Sequence, residues 1–453
     1  MKIFIAGICG TFMAGVAQLA KAGGHAVRGC DHGVYPPMNE VLAAQSIDAL
    51  SGYRAEHLGD APGTVLLGNA LSRGNELVEA VLARRLEFQS GPEWLRAHVL
   101  ARRAVLAVAG THGKTSTTSM LAWMLQCAGR APGYLIGGKP GNFETSAALG
   151  EGEHFVIEAD EYDTAFFDKR AKFVHYHPRI AVLNNLEFDH ADIYDDLAQI
   201  KKQFHHLVRT VPGDGGIVVN ADDANLAEVL EMGCWSEVTR FSLEDESAEW
   251  HARARGADCA EFEVLHRGAP AARVAWRCIG RHNMQNALAA IAAAQLAGVP
   301  PAESAAALKS YIPGARRMQL LHQSAGLSVY DDFAHHPTAI LHSIDAARAR
   351  HPEARVFVAL ELRSNTMKSG AHGARVGEAL ARADGAVIRG AGGKDLPGAP
   401  RDALLLEDLG EIIGALKKWA QNGANSVIIT MSNGDFGGLP RRLAAEAETW
   451  RGN

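Results

Sequence analysis

Short apolar runs separated by glycine and polar residues recur along the whole chain. Lys2–Ala6, Ala104–Val108, Phe155–Ile157, Ile180–Leu183 and Ile217–Val219 are too brief for helices and read as strands buried on both faces. Helical spacing follows the first of them, at Met13, Val16, Ala17, Leu19 and Ala20, and an Ala-rich stretch from Gly280 to Ala297 predicts a second helix. His25–Cys30, Thr64–Gly68, Leu327–Tyr330, Arg355–Glu361 and Ser426–Met431 continue the strand pattern. Strands alternating with helices predict parallel sheets of the α/β class. Two breaks divide the chain: Pro92–Arg103, rich in Arg without apolar period, which reads as a helix edge and linker, and Tyr311-Ile-Pro313-Gly314. The expected units are residues 1–103, Rossmann-like; 104–313, resembling a P-loop ATPase; and 314–453, Rossmann-like again. Residues 240 to 280 read as a small antiparallel ribbon.

The polar residues at the strand ends carry the candidate chemistry. Ala104–Val108 runs into Gly110-Thr111-His112-Gly113-Lys114-Thr115-Ser116, and a helix follows. Strand, glycine turn and helix N-terminus make a phosphate cradle: bare backbone N–H groups approach an anion, Lys114 adds full charge, and Thr115 or Ser116 offers a hydroxyl to Mg²⁺. Val108 stands where the common P-loop has its first glycine, so the loop is a shortened form. Glu158, Asp160, Glu161 and Asp163 follow the next strand, where metal ligands or a solvated acidic loop would fit. Asp189-His190 and Asn220-Ala-Asp222-Asp223 end two more strands. Asn283 and Asn286, one turn apart, could reach one ligand, or Asn283 could cap its helix.

The first glycine turn, Gly7 to Gly15, holds Gly10, Thr11, Phe12 and Met13, and Asp31 closes the next strand where an acid can meet a ribose. A surface Asp after an ordinary turn reads equally well. Cys9 and Phe12 break the strict dinucleotide fingerprint, which argues against a nicotinamide oxidoreductase. Ser72 follows a third strand of this unit. In the last unit Asp331, His335 and His336 follow Leu327–Tyr330, Arg316-Arg317 precede it, and the loops Arg363-Ser364-Asn365 and Ser432-Asn433 end two parallel strands. Adjacent histidines point apart on most backbones, so His335-His336 does not suggest zinc.

Composition narrows the partners. The chain has 453 residues, 47% of them hydrophobic, and a formal charge of −6, which recommends neither nucleic acid nor an anionic membrane. Six cysteines with no CxxC pair fit a reducing compartment rather than a disulfide framework. The opening MKIFIAGICG is too short in its apolar run for a signal segment, and no run reaches membrane-spanning length. The expectation is a cytoplasmic protein acting on small molecules, as a monomer or weak homo-oligomer.

Gly110–Thr115, Glu158-Ala-Asp-Glu161, Asp189-His190-Ala-Asp192, His282-Asn-Met-Gln-Asn286, Arg316-Arg317 and Asp331-Asp-Phe-Ala-His-His-Pro337 together resemble the motifs of the Mur ligase family, in order and spacing. The shortened P-loop is that family's form. The resemblance implies an ATP- and Mg²⁺-dependent amide ligase working through an acyl phosphate. It implies Lys114 on the β/γ-phosphates; Thr115 and Glu158 on one Mg²⁺ and His190 on a second; Asn283 and Asn286 facing the nucleotide; Arg317 or Arg316 on the γ-phosphate; and Asp331 with His335 closing over it. Phe204 stands where many members carry a carbamylated lysine. The N-terminal unit is similar to the domain that binds UDP-N-acetylmuramate. Glu161-Tyr-Asp-Thr-Ala-Phe-Phe-Asp-Lys-Arg170 and Arg363-Ser-Asn-Thr-Met-Lys368 resemble the recycling branch, which implies the tripeptide L-Ala-γ-D-Glu-meso-diaminopimelate as amine, with Arg363 and Asn433 on its carboxylates. The alternative is the branch that adds free L-alanine in de novo peptidoglycan synthesis.

Overall fold

The computed structural model describes the chain apart from residues 35–37, 364, 371, 393–395, 401, 423–424 and 451–453; the side chains of residues 365 and 369 are also left aside. Three large sheets follow one another along the chain, and a two-stranded hairpin, Asp163–Ala165 with Asp168–Ala171, adjoins the second. The first is fully parallel, in the spatial order Asp48–Ser51, Ala26–Asp31, Lys2–Ala6, Thr64–Leu67, Phe88–Ser90. Its central strands are apolar because helices cover both faces, and Phe4, Ile5 and Ala6 are fully buried. Pro92–Arg103, expected as a helix edge and linker, is helical through Leu100. Ser90 and Glu93 form a capping box that starts a helix at Gly91–Leu95, and a π-helical turn continues it through Leu100.

In the second sheet Ala104–Ala109 lies between Ile180–Leu183 and His154–Ala159, parallel to both. Register sets Glu158 opposite Val108, and Leu183 opposite Ala109. The chain leaving these three adjacent strands therefore emerges at one edge, which brings the cradle, the acids and Asn184-Asn185 together. The helix Lys114–Cys127 follows the cradle and packs its buried face against the helix Arg281–Leu296. Trp250–Ala254, Glu261–His266 and Ala269–Ala275 form the expected antiparallel ribbon at the far side.

The third sheet places Leu327–Asp332, Ser426–Met431, Arg355–Glu361, Gly385–Arg389 and Leu404–Leu405 in parallel order, with Gln319–Ser324 antiparallel at the edge. It is closed onto the central unit. Thr338 Oγ1 donates to Glu187 at 2.8 Å, Ala191 N donates to Thr366 Oγ1 at 3.2 Å, and Arg350 pairs with Asp258 at 2.9 Å. The connection Tyr311–Arg317 is tied at Ala315, whose N–H donates to Lys139 O at 2.9 Å.

Candidate active site

The cradle is built for an anion. Gly113, at φ 75°, caps the helix Lys114–Cys127 without a side-chain hydrogen bond, so the first-turn N–H groups remain available. Asn185 holds the loop in shape: its Oδ1 accepts from His112 N at 2.7 Å and its Nδ2 donates to His112 O at 3.1 Å. Thr111 Oγ1 accepts from Glu187 N at 2.8 Å. Gly110 lies at φ 153°, and Ser116 sits partly buried in the helix's first turn.

Lys114 Nζ donates to Glu161 Oε2 at 2.7 Å and lies 3.5 Å from Asp160. Burial alone would depress this ammonium, but the Glu161 and Asp160 charges outweigh burial and raise its pKa. His190 Nε2 lies 3.1 Å from Glu161 Oε1 and under the Tyr162 ring at 4.1 Å. Burial opposes its protonated form; the hydrogen bond and charge of Glu161 prevail and raise it. Burial would raise the Asp160 carboxyl, but the charges of Lys172, Lys114 and His190 outweigh it and hold its pKa below the ordinary value. Asp163 leaves this group, pairing with Lys169 at 2.6 Å in the adjoining hairpin.

A second group adjoins the first. Glu158 accepts from Gly137 N at 2.8 Å and from Thr115, and desolvation raises its pKa. Arg317 Nη2 donates to Thr115 Oγ1 at 3.1 Å, so a residue of the interdomain connection enters the cradle. Arg316 turns away, to Ser432 O and to Asp331 at 3.5 Å, which separates the roles of the two arginines. These residues fit a triphosphate with a divalent cation. A Cβ at Gly113 would meet Asn286 Oδ1 at 2.3 Å and one at Gly137 would meet Glu158 Oε2 at 2.5 Å, so bare backbone holds the cradle open, and hydroxyl, carboxylate and imidazole donors surround it. Asp160, Glu161 and His190 also bring ligand atoms within 4.8 Å of one another.

Asn286 lies against Gly113 of the cradle and accepts from Asn184 at 2.7 Å. Other expected residues sit elsewhere. Asn283 donates back to Ile279 O at 2.8 Å, so the two amides do not converge and Asn283 does not cap its helix. Asp331 is buried against Thr430 and Arg316 rather than facing the cradle. His335 bonds its own loop at Phe333 O, 3.0 Å away, while His336 reaches Phe188 O across the domain seam at 3.3 Å. The third strand end is structural: Asp223 caps a helix and Asp222 binds Ser242 and Leu243 N. His112, Glu187 and His336 also cluster, but Glu187 already accepts from Thr338 and from Arg375 at 3.0 Å, and that guanidinium disfavours a cation there. Phe204 is fully buried against Phe173.

In the N-terminal unit a cavity of about 290 Å³ is lined by Gly10, Thr11, Phe12, Met13, Asp31 and Asn69, and by Thr164 and Lys172 from the central unit. Asp31 is anchored by Cys9 N at 2.9 Å, Gly33 N at 3.0 Å and Tyr53 OH at 3.2 Å. Ser72 is exposed and does not line it; Asn69, nearer the strand end, does. In the third unit Arg363 lies against Gly434, 3.7 Å from Asp435, and Asn433 Oδ1 is buried with no hydrogen-bond partner among the described residues. Ser364 and the Asn365 side chain lie outside the described residues. Sequence reasoning offered Asp160 and Glu161 only as members of the acidic strand end, without a role of their own, and missed Lys172 as a site member. The acidic run signalled the first two; nothing local signalled Lys172.

Three α/β units around a phosphate cradle fed by an interdomain arginine define an ATP-dependent ligase that forms C–N bonds. Family models match across the chain: the Mur ligase family catalytic domain at residues 2–103, the Mur ligase middle domain at 108–294, and the Mur ligase glutamate ligase domain at 316–434. The chain belongs to the Mur ligase family. It is 50% identical over 450 residues (98% of this chain, 97% of the other) to the UDP-N-acetylmuramate–L-alanyl-gamma-D-glutamyl-meso-2,6-diaminoheptandioate ligase of Escherichia coli K12. It is 35% identical over 410 residues (88% and 86%) to the UDP-N-acetylmuramate–L-alanine ligase of Rubrobacter xylanophilus. A crystal structure of a murein peptide ligase from Psychrobacter arcticus matches with TM-score 0.77 and 40% identity over 99% of both chains.

Proposed function

We propose that this chain joins the lactyl carboxylate of UDP-N-acetylmuramate to the amine of L-Ala-γ-D-Glu-meso-diaminopimelate, consuming ATP, in peptidoglycan recycling. One observation carries the reading: Lys172, which lines the cavity of the first unit, pairs with Asp160, the same carboxylate that Lys114 of the cradle approaches. Full-length identity of 50% to a tripeptide-adding relative, against 35% to an alanine-adding one, supports the tripeptide as amine. The working divisions are residues 1–103 for the nucleotide sugar, 104–313 for ATP and 314–453 for the tripeptide.

A carboxylate is a poor electrophile, so its oxygen first attacks the γ-phosphorus and ADP leaves. The amine then attacks the acyl phosphate carbon, and the tetrahedral adduct expels phosphate. Lys114 and Arg317 hold the phosphates and offset charge in the loose transition state. Thr115, Glu158 and His190, with Asp160 and Glu161 beside them, would hold Mg²⁺, which when bound neutralises phosphate charge. Gly10, Thr11, Phe12 and Met13 shape the nucleotide-sugar cavity. Arg363 suits a carboxylate of the tripeptide, and the unpaired Asn433 amide oxygen suits an N–H donor. Such chemistry on a nucleotide-linked precursor belongs in the cytoplasm.

The test is phosphate release from MgATP with UDP-N-acetylmuramate and either the tripeptide or free L-alanine. Release with the tripeptide and little with alanine is expected. The reverse would move the chain to the alanine-adding branch, and no release with either would overturn the ligase reading.

A further inference from the structure

Lys172 begins the short 3-10 turn Lys172–His175, its N–H donating to Tyr162 O at 2.9 Å. Its ammonium is 3.3 Å from Asp160 Oδ2, while Lys114 lies 3.5 Å from Asp160 Oδ1. The Asp160 carboxylate thus stands between two ammonium groups, one facing the cradle and one facing the cavity of the first unit. Phe12 and Tyr162 fix the second, with ring centroids 5.6 and 5.4 Å from Nζ, and its side chain is only 9% exposed. Among the described residues lining the cavity, Lys172 alone is cationic. Asp31, the one acid there, is occupied by two backbone N–H groups and Tyr53.

A carboxylate leaving this cavity toward a γ-phosphate approaches one anion past two more, Asp160 and Glu161. Water cannot screen that repulsion well in so enclosed a place. We propose that Lys172 binds the reacting carboxylate of the nucleotide-sugar substrate and carries it, as the acyl phosphate forms, against the phosphates held by Lys114. The inference rests on the function proposed above. The step itself needs no proton from Lys172: the carboxylate oxygen forms the new bond to phosphorus, the bond to the ADP oxygen breaks, and its electron pair leaves with ADP. Lys172 exchanges Asp160 for the substrate as its counter-ion. Its position also makes it a gauge of specificity, since a sugar nucleotide without a carboxylate gains nothing from it.

Lys172→Met, Lys172→Gln and Lys172→Arg test this in the full chain. Acyl phosphate is trapped as hydroxamate with hydroxylamine, MgATP and UDP-N-acetylmuramate, without tripeptide. Lys172→Met should lower hydroxamate formation at least 30-fold and raise the KM for UDP-N-acetylmuramate at least tenfold, with the KM for ATP within twofold; Lys172→Arg should recover part of both. Calorimetry should show wild type preferring UDP-N-acetylmuramate over UDP-N-acetylglucosamine, which lacks the carboxylate, at least tenfold, with the preference reduced to within twofold in Lys172→Gln. Unchanged rate and preference, or a uniform loss with no rescue by arginine, would overturn the inference. A wild-type chain that forms no hydroxamate and releases no phosphate would instead overturn the ligase reading.

Discussion

Gly137→Ala isolates the carboxylate beneath the cradle. Gly137 lies outside the left-handed region, so alanine's own conformation is no obstacle; the obstacle is Glu158. A Cβ there would lie 2.5 and 2.6 Å from the two carboxylate oxygens, so the carboxylate must retreat by about 0.9 Å to reach ordinary van der Waals contact. That movement breaks the 2.8 Å bond from Gly137 N to Glu158. A hydrogen bond to a charged group is worth roughly 1.5–3 kcal/mol. At about 1.4 kcal/mol per factor of ten, kcat/KM should fall roughly 10- to 150-fold. The assay is phosphate release over a Mg²⁺ titration at saturating UDP-N-acetylmuramate and tripeptide. The half-saturating Mg²⁺ concentration should rise with the loss, while the KM for UDP-N-acetylmuramate stays put. A variant with wild-type Mg²⁺ response and kcat within twofold would refute the assignment of Glu158.

Arg317→Lys should lower kcat by about 10²-fold or more, since the guanidinium enters the cradle at Thr115, whereas Arg316→Lys should cost less than tenfold; the opposite order in steady-state kinetics would exchange their roles. Arg363→Ala should raise the tripeptide KM about tenfold or more and leave that of UDP-N-acetylmuramate unchanged, as a lost charged hydrogen bond requires; an unchanged tripeptide KM would remove Arg363 from the amine site. Asp331 is held up at about 6, chiefly by burial, above its ordinary 3.8. Between those values the folded chain binds more protons than the unfolded one, so this group's contribution is full below about pH 3.8 and is lost as pH rises through 6. Relative to wild type, Asp331→Asn should therefore gain stability with rising pH across that window, read as the difference between the two melting profiles. Gly414→Ala, at an exposed position of the helix Leu409–Ala420 with open space around the new methyl, should stabilise by about 0.5–1 kcal/mol in denaturant unfolding.

The cradle was legible because its chemistry is contiguous. A buried strand, two glycines, Lys114-Thr115 and a helix start all lie within one stretch, and each follows from local backbone preference. The α/β class was legible for the same reason, since apolar runs and helical spacing alternate along the chain. Asn220-Ala-Asp222-Asp223 shows the limit. It has the composition of a site and the strand end to match, yet its acids cap a helix and brace Ser242, because the strand Gly216–Asn220 is separated from the cradle strand by Ile180–Leu183.

By itself, then, the sequence determined the elements, the phosphate loop, the acidic strand end and a resemblance resting on separated motifs. Tertiary structure decided which of two adjacent arginines enters the cradle, that Asn283 turns back to its own helix, and that Lys172 shares Asp160 with Lys114. Those outcomes depend on strand order, parallel register and the closure of one unit on another. Each joins residues far apart in the chain, and no local preference of either partner encodes the distance between them.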